Sequence, residues 1–134
     1  MKLAGLTIAY WCVLVMALVP MGCAWLAKAG QLGKPRRQGG FDNHNPRAWL
    51  ARQTDWRARA NAAQDNTFEA LPFFIGAVVI AHQLGAVQMR VDVLAFLFVV
   101  LRLLYVMMYV ADLATARSAV WALALLVNIA ILFV

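Results

Sequence analysis

The chain has 134 residues, of which 64% are hydrophobic and 13% charged, about half the charged share of an ordinary soluble domain. That balance excludes a soluble globular enzyme and gives one domain with room for four membrane spans of roughly 20 residues. A net charge of +6 would suggest nucleic acid in a soluble protein. Here the basic residues collect in one segment between apolar runs, so no nucleic-acid partner is expected.

The first span is predicted from about Leu3 to Ala27. It exceeds the apolar core of a cleaved signal peptide, roughly 7–15 residues, and Pro20 and Met21 stand where a lipoprotein cleavage box wants small residues. Cys12 and Cys23 on this helix would lie about 16 Å apart, too far to pair, and read as small buried apolar residues. Pro20, like Pro72 further on, is expected to kink its helix. The chain contains no CxxC, no HExxH and no cluster of His with carboxylates, so no metal site is expected.

A loop over about 28–58 follows. Lys28, Lys34, Arg36, Arg37, Arg47, Arg52, Arg57 and Arg59 all lie between the first two spans, against Lys2 and Arg90 near the opposite boundary. The charge asymmetry predicts a multi-pass protein (of the inner membrane, in a bacterial cell) with this loop cytoplasmic and both termini outside. The basic loop should also attract anionic lipid heads. Residues 30–45 read as irregular, Asn45-Pro46 as a helix start, and Thr54-Asp55 as the cap of a helix continuing into span two. Trp49, Leu50 and Trp56 alternate with arginines as at a bilayer interface.

Span two is predicted over about Asn66–Ala86, span three over about Val91–Ala111, and span four from about Arg117 to Val134. On the second, Arg59, Asn66 and Glu69 fall within a sector of about 80°. A carboxylate such as Glu69 at the mouth of a span is costly unless paired or solvated, and is a functional candidate. On the third, Arg102, Tyr105 and Tyr109 share about 60°. Arg102 lies mid-span and is expected to face inward and meet an acid, Glu69 or Asp112. His82 reads as an interfacial histidine, and Trp11, Trp25 and Trp121 as lipid-facing or interfacial bulk. Structural bonds between helices would account for any one such pair. An amide, a carboxylate, two tyrosines and two arginines near one membrane face favour a binding site.

The stretch Arg59-x6-Asn66-x2-Glu69-x2-Pro72, followed by Arg102-x2-Tyr105-x3-Tyr109 and Arg117-Ser118, resembles the MAPEG family. These are the membrane-associated proteins of eicosanoid and glutathione metabolism, including the microsomal glutathione transferases. The resemblance covers essentially the whole chain. It implies an all-α, left-handed, integral membrane four-helix bundle assembled as a homotrimer, with glutathione as co-substrate between neighbouring subunits near the cytoplasmic face. By position it implies that Asn66 and Glu69 hold the peptide part of glutathione, Glu69 at its amino group, and that Gln64 contacts the same ligand. Tyr105 and Tyr109 would hydrogen-bond or pack against it, Arg59 matches a basic position, and Arg117 would be the catalytic arginine that activates the thiol. The chain departs from the pattern at Ala62, where eicosanoid synthases of the family carry arginine, and in the interval from Tyr109 to Arg117. Lys28, Arg36 or Arg52 are candidate substitutes for the missing arginine.

The activity implied is a glutathione-dependent transferase or peroxidase acting on hydrophobic electrophiles or lipid hydroperoxides that arrive through the bilayer. The alternative is a non-catalytic membrane lipid-binding or scaffold protein on the same bundle. A proton-coupled exporter of this size would keep an acid in its first span, and none is present there.

Overall fold

The computed structural model describes all 134 residues and is mostly helical. A two-stranded hairpin, β1 (Lys2–Leu3) and β2 (Leu6–Thr7), leads into α1 (Ile8–Lys28). A single 3-10 turn at Arg36–Gln38 and the short α2 (Pro46–Ala51) occupy the long loop. Then come α3 (Asp55–Gln83), α4 (Gln88–Val110) and α5 (Ala114–Ile131). Three of these, α1, α4 and α5, are long and apolar enough to cross a membrane. The predicted second span, all but its last three residues, lies inside α3, where Asn66, Glu69, His82 and Gln83 dilute the apolar run between them.

The local signals explain most boundaries. Asn45-Pro46 opens α2 with Pro at its first position, where its missing N–H is no loss, and α3 opens at Asp55 behind Thr54. Both α1 and α3 run on through an internal proline, Pro20 and Pro72. At the far end of α3, Gly85 takes the left-handed conformation (φ 70°). Its N–H bonds the His82 carbonyl while that of Ala86 bonds Ala81, closing the helix with two bonds that satisfy its last carbonyls. Asp112 does the same after α4 with φ 61°, Leu113 N–H reaching Met108 O and Asp112 N–H reaching Tyr109 O. Asp tolerates this conformation better than most residues. Its place in an exposed turn removes it as a partner for Arg102.

The predicted irregular loop carries little regular structure but is tied down. Phe41 N–H bonds Gln31 O, Lys28 lies 4.5 Å over the Phe41 ring, and Phe41 meets Trp49 edge-on at 5.2 Å. Gly40 packs so closely on the Lys34 backbone that a Cβ would collide with it. Trp49 is only 3% exposed and its Nε1 donates to Gly39 O at 3.3 Å. It forms the core of the loop, because the chain folds back over it.

The long helices alternate in direction and associate chiefly as two pairs, α1 with α3 and α4 with α5. Small residues line the contacts (Ala9, Ala77, Ala81, Ala95, Ala124) and let the backbones approach, with Phe74 stacked on Phe98 at 4.2 Å between the pairs. Within the first pair, Arg57 Nη1 donates to Ala27 O at the end of α1. At the other end His82 stacks on Tyr10 and lies 2.8 Å from Thr7 Oγ1. His82 Nδ1 is 2.7 Å from Val78 O; a carbonyl can only accept, so Nδ1 carries the proton. His82 is thus a packed strut between α1 and α3.

Hydrogen bonds cross the seam between the pairs at three places. At the loop end Arg59 Nε donates to Val110 O at 3.1 Å, serving a terminal carbonyl of α4. Midway Arg102 donates to α3, as described below. At the far end the Ala9 N–H in the first turn of α1 donates to Asp92 Oδ1 at 2.9 Å, and Gln88 Nε2 donates to the same oxygen at 2.7 Å. A carboxylate from α4 therefore caps the positive end of α1.

Candidate functional site

Beside the seam, where α3 faces α4 and α5, two adjoining cavities share Asn66 and Trp121 as walls. One of about 180 Å3 is bounded by Glu69, Phe73, Phe98, Arg102, Leu125 and Asn128 among others. The second, of about 210 Å3, is bounded by Tyr105, Tyr109, Arg117 and Ser118. Helical spacing on α3 explains why Asn66 and Glu69 reach the same place, since residues three apart share a face. Tyr105 and Tyr109 follow the same rule on α4.

Arg102 organises the floor. It is 1% exposed, and its Nη2 donates to Asn66 Oδ1 at 2.8 Å and to Thr67 Oγ1 at 3.3 Å. Thr67 in turn donates to Ala63 O at 2.7 Å. The ion pairs in the molecule are Met1 N with Asp92 and Arg36 with Asp42, so Arg102 meets no carboxylate. The expected partner acid is replaced by neutral oxygens and by the face of Tyr105, over which the guanidinium lies at 4.3 Å. Tyr105 meets Tyr109 edge-on at 5.6 Å, and Arg117 covers the Tyr109 ring at 4.4 Å. A run of cation, ring, ring and cation therefore extends from mid-span to the loop end, each contact worth roughly 0.5–2 kcal/mol.

Five of the residues singled out in the sequence, Asn66, Glu69, Tyr105, Tyr109 and Arg117, thus come together. Two do not. Arg59 is bound to the end of α4, and Gln64 borders a separate cleft of about 380 Å3 with Arg47, Leu50, Asn61, Asp65 and Phe68. On α3 the Gln64 cleft and the Glu69 wall point roughly 140° apart by helical geometry. Of the candidate substitute cations, Lys28 covers Phe41 and Arg36 pairs with Asp42 at 3.6 Å, while Arg52 is exposed in the loop.

Trp121, expected as lipid-facing or interfacial bulk, is 42% exposed and also walls both cavities; Asn128 was not singled out in the sequence. Asn128 is 2% exposed, with Oδ1 unpartnered. A lone amide inside an apolar run is costly to leave unpaired, though less so than a charge, and that signal could have found it.

Chemically the site presents two guanidiniums without carboxylate partners, one unpaired carboxylate and two phenols in a surface with apolar walls. That set suits a ligand with both anionic and cationic groups. No three His, Cys, Asp or Glu side chains gather as a metal-binding set. A model of the MAPEG family matches residues 8–134. No curated protein and no solved structure matches the chain.

Proposed function

The chain belongs to the MAPEG family, and from that premise we propose that it is a glutathione-dependent membrane transferase or peroxidase for hydrophobic electrophiles. Membership places it among membrane proteins of glutathione and eicosanoid metabolism; the finer reading rests on the convergence of Asn66, Glu69, Tyr105, Tyr109 and Arg117. In this reading four helices, with α3 as the second span, form a membrane-spanning bundle. The basic loop faces the cytoplasm, both termini lie outside, and three copies assemble.

Glutathione carries two carboxylates and an ammonium group, and the site offers matching partners. Glu69 receives the amino group. Asn66, already oriented by Arg102, presents its amide to the peptide portion. In the proposed trimer the Gln64 cleft serves the same ligand from the neighbouring subunit, which accounts for its separate direction on α3.

Arg117 acts on the sulfur. A free thiol has a pKa of about 8.5 and is mostly protonated at neutral pH, whereas the thiolate is the nucleophile. A permanently charged guanidinium beside it stabilises the anion. The Tyr109 ring beneath Arg117 fixes the direction of that charge. The thiolate then forms a carbon–sulfur bond with an electrophile from the bilayer, whose leaving group departs with the electron pair. With a hydroperoxide the thiolate attacks the terminal oxygen, the O–O bond breaks and the lipid alcohol leaves; a second glutathione then displaces water from the resulting sulfenic acid to form the disulfide.

Calorimetry with glutathione on the detergent-purified protein tests the reading. Saturable binding that Glu69→Gln weakens at least tenfold is expected. Conjugation of a halodinitrobenzene should fall by two orders of magnitude in Arg117→Gln with binding largely retained. A folded protein that does not bind glutathione overturns the proposal.

A further inference from the structure

We propose that residues 31–41 form a docking loop for the headgroup of an anionic phospholipid, with Lys34 and Arg37 as the cations that hold its phosphate. The composition of the chain spreads this attraction over the whole basic loop, and the structure narrows it. Lys28 lies over the Phe41 ring and Arg36 is paired with Asp42. Arg57 stacks on Trp56 and donates to Ala27 O, while Arg59 serves Val110 O. These charges are engaged inside the fold. Arg47 borders the Gln64 cleft and Arg52 ends α2, so neither belongs to this loop. Lys34 and Arg37 are exposed and take part in no ion pair. No acid stands between residues 31 and 41, which leaves both cations to an external anion.

The loop is held in shape before any ligand arrives. Phe41 N–H bonds Gln31 O at 3.0 Å and draws the two ends together, as in other compact surface loops. Gln38 and Gly40 N–H both bond Pro35 O, at 2.9 and 3.1 Å, and Gly40 packs against the Lys34 backbone. Lys34 and Arg37 therefore flank a turn whose backbone is already ordered, which lowers the entropy cost of binding. The guanidinium fork matches two phosphate oxygens, and the ammonium adds a compact point charge.

The height of the loop selects a lipid over a dissolved phosphate. Trp25, 69% exposed, stands three residues before the end of α1 at Lys28, about 4.5 Å along the axis. An exposed tryptophan at the end of a span marks the headgroup level, and the loop begins just beyond it. Leu32 is 63% exposed within the loop, and an apolar side chain among cations suits the boundary between headgroups and acyl chains. An anionic leaflet strengthens the attraction about fivefold for each cation close to it. Neither glutathione nor the trimer enters the argument, so it stands or falls apart from the conjugation reading.

The full chain is reconstituted in phosphatidylcholine bilayers with traces of spin-labelled phosphatidylglycerol or spin-labelled phosphatidylcholine. Electron paramagnetic resonance then reads the fraction of each label immobilised on the protein. A preference for phosphatidylglycerol of about threefold or more is expected at low salt. It should disappear in about 1 M salt, where the screening length falls to about 3 Å. The double variant Lys34→Gln/Arg37→Gln should bring the preference close to unity, whereas Lys34→Arg/Arg37→Lys, which keeps both charges, should retain it. Lys2→Gln/Arg90→Gln removes as much charge at the opposite end and should change nothing. Excess soluble glycerophosphoglycerol should fail to displace the lipid. The proposal is overturned by equal immobilisation of the two labels, or by a preference that survives Lys34→Gln/Arg37→Gln. Equal losses in the loop and far-end variants would reduce the effect to net charge, and displacement by the soluble headgroup would make this a site for free phosphate; either result also sinks it.

Discussion

Arg102 keeps a permanent charge at mid-span with 1% exposure and no carboxylate in contact. Its compensation comes from Asn66, Thr67 and the Tyr105 ring, because lone pairs and an aromatic face can stabilise a guanidinium as an acid does. Asn66 is therefore structural as well as cavity-lining, and its loss differs in kind from loss of Glu69. Asn66→Leu should lower stability by about 2–4 kcal/mol, since it strips a buried charge of its shortest hydrogen bond; thermal denaturation in detergent measures it. Glu69 is exposed, so Glu69→Gln should stay within about 0.5 kcal/mol of the parent while glutathione affinity falls. That Arg102 must turn inward was legible from its cost in an apolar run. Which oxygens would receive it was not, because Asn66 and Thr67 stand 36 and 35 residues away and nothing local records that distance. The cysteines are simpler. Cys12 and Cys23 are 6% and 3% exposed and unpaired, so a maleimide should modify neither in the folded protein and both after denaturation, as read by mass.

At the scale of helices, the short-range signals served well and the long-range ones did not. Asn45-Pro46 and Thr54-Asp55 marked where α2 and α3 start, although neither Asn45 nor Thr54 makes a side-chain capping bond; the signal that served is local, as with Pro46 at the first helical position. The predicted second span opened at Asn66, eleven residues inside a helix that starts at Asp55, since apolarity marks membrane depth rather than helix extent. Asp92 went unread although it is a buried acid in an apolar span, the same kind of outlier as Arg102. Its partner is a backbone N–H 83 residues away. Asp92→Leu removes the acceptor for Ala9 N–H and Gln88, and should destabilise the fold by about 1–2 kcal/mol. Asp92→Asn keeps an oxygen in place and should cost less than half of that. Because Asp92 lies at the end remote from Glu69, glutathione affinity should be unchanged in both, and melting curves alongside calorimetry separate the two effects.

For the molecule as a whole, the site residues are divided between the two helix pairs. Asn66 and Glu69 belong to the α1–α3 pair, and Arg102, Tyr105, Tyr109, Arg117 and Trp121 to the α4–α5 pair. Their mutual geometry is set by how the pairs sit together, which near the site depends on the bonds at Arg59 and Arg102, the Asp92 bond lying at the remote end. Arg59→Gln removes the bond nearest Arg117. It should weaken glutathione binding several-fold without touching the ligand, and the loss should be accompanied by faster amide hydrogen exchange at the end of α4. The large exposed apolar side chains on α1, α4 and α5, such as Leu18, Trp25, Phe96 and Leu126, need lipid or other subunits against them. Chemical crosslinking in membranes should give trimers as the largest discrete species if the proposed assembly holds.

A seam that runs lengthwise between two helix pairs has its weak direction in the plane of the membrane. The side-to-side squeeze of the surrounding acyl chains bears on that direction, whereas forces along the membrane normal do not. Lipids that crowd the bilayer interior would press the pairs together and narrow the gap between Glu69 and Arg117, and looser, more fluid lipids would let it widen. The membrane then becomes a mechanical regulator of the pocket, and affinity compared in nanodiscs of different acyl packing would reveal a protein tuned by the texture of its solvent as well as by its ligands.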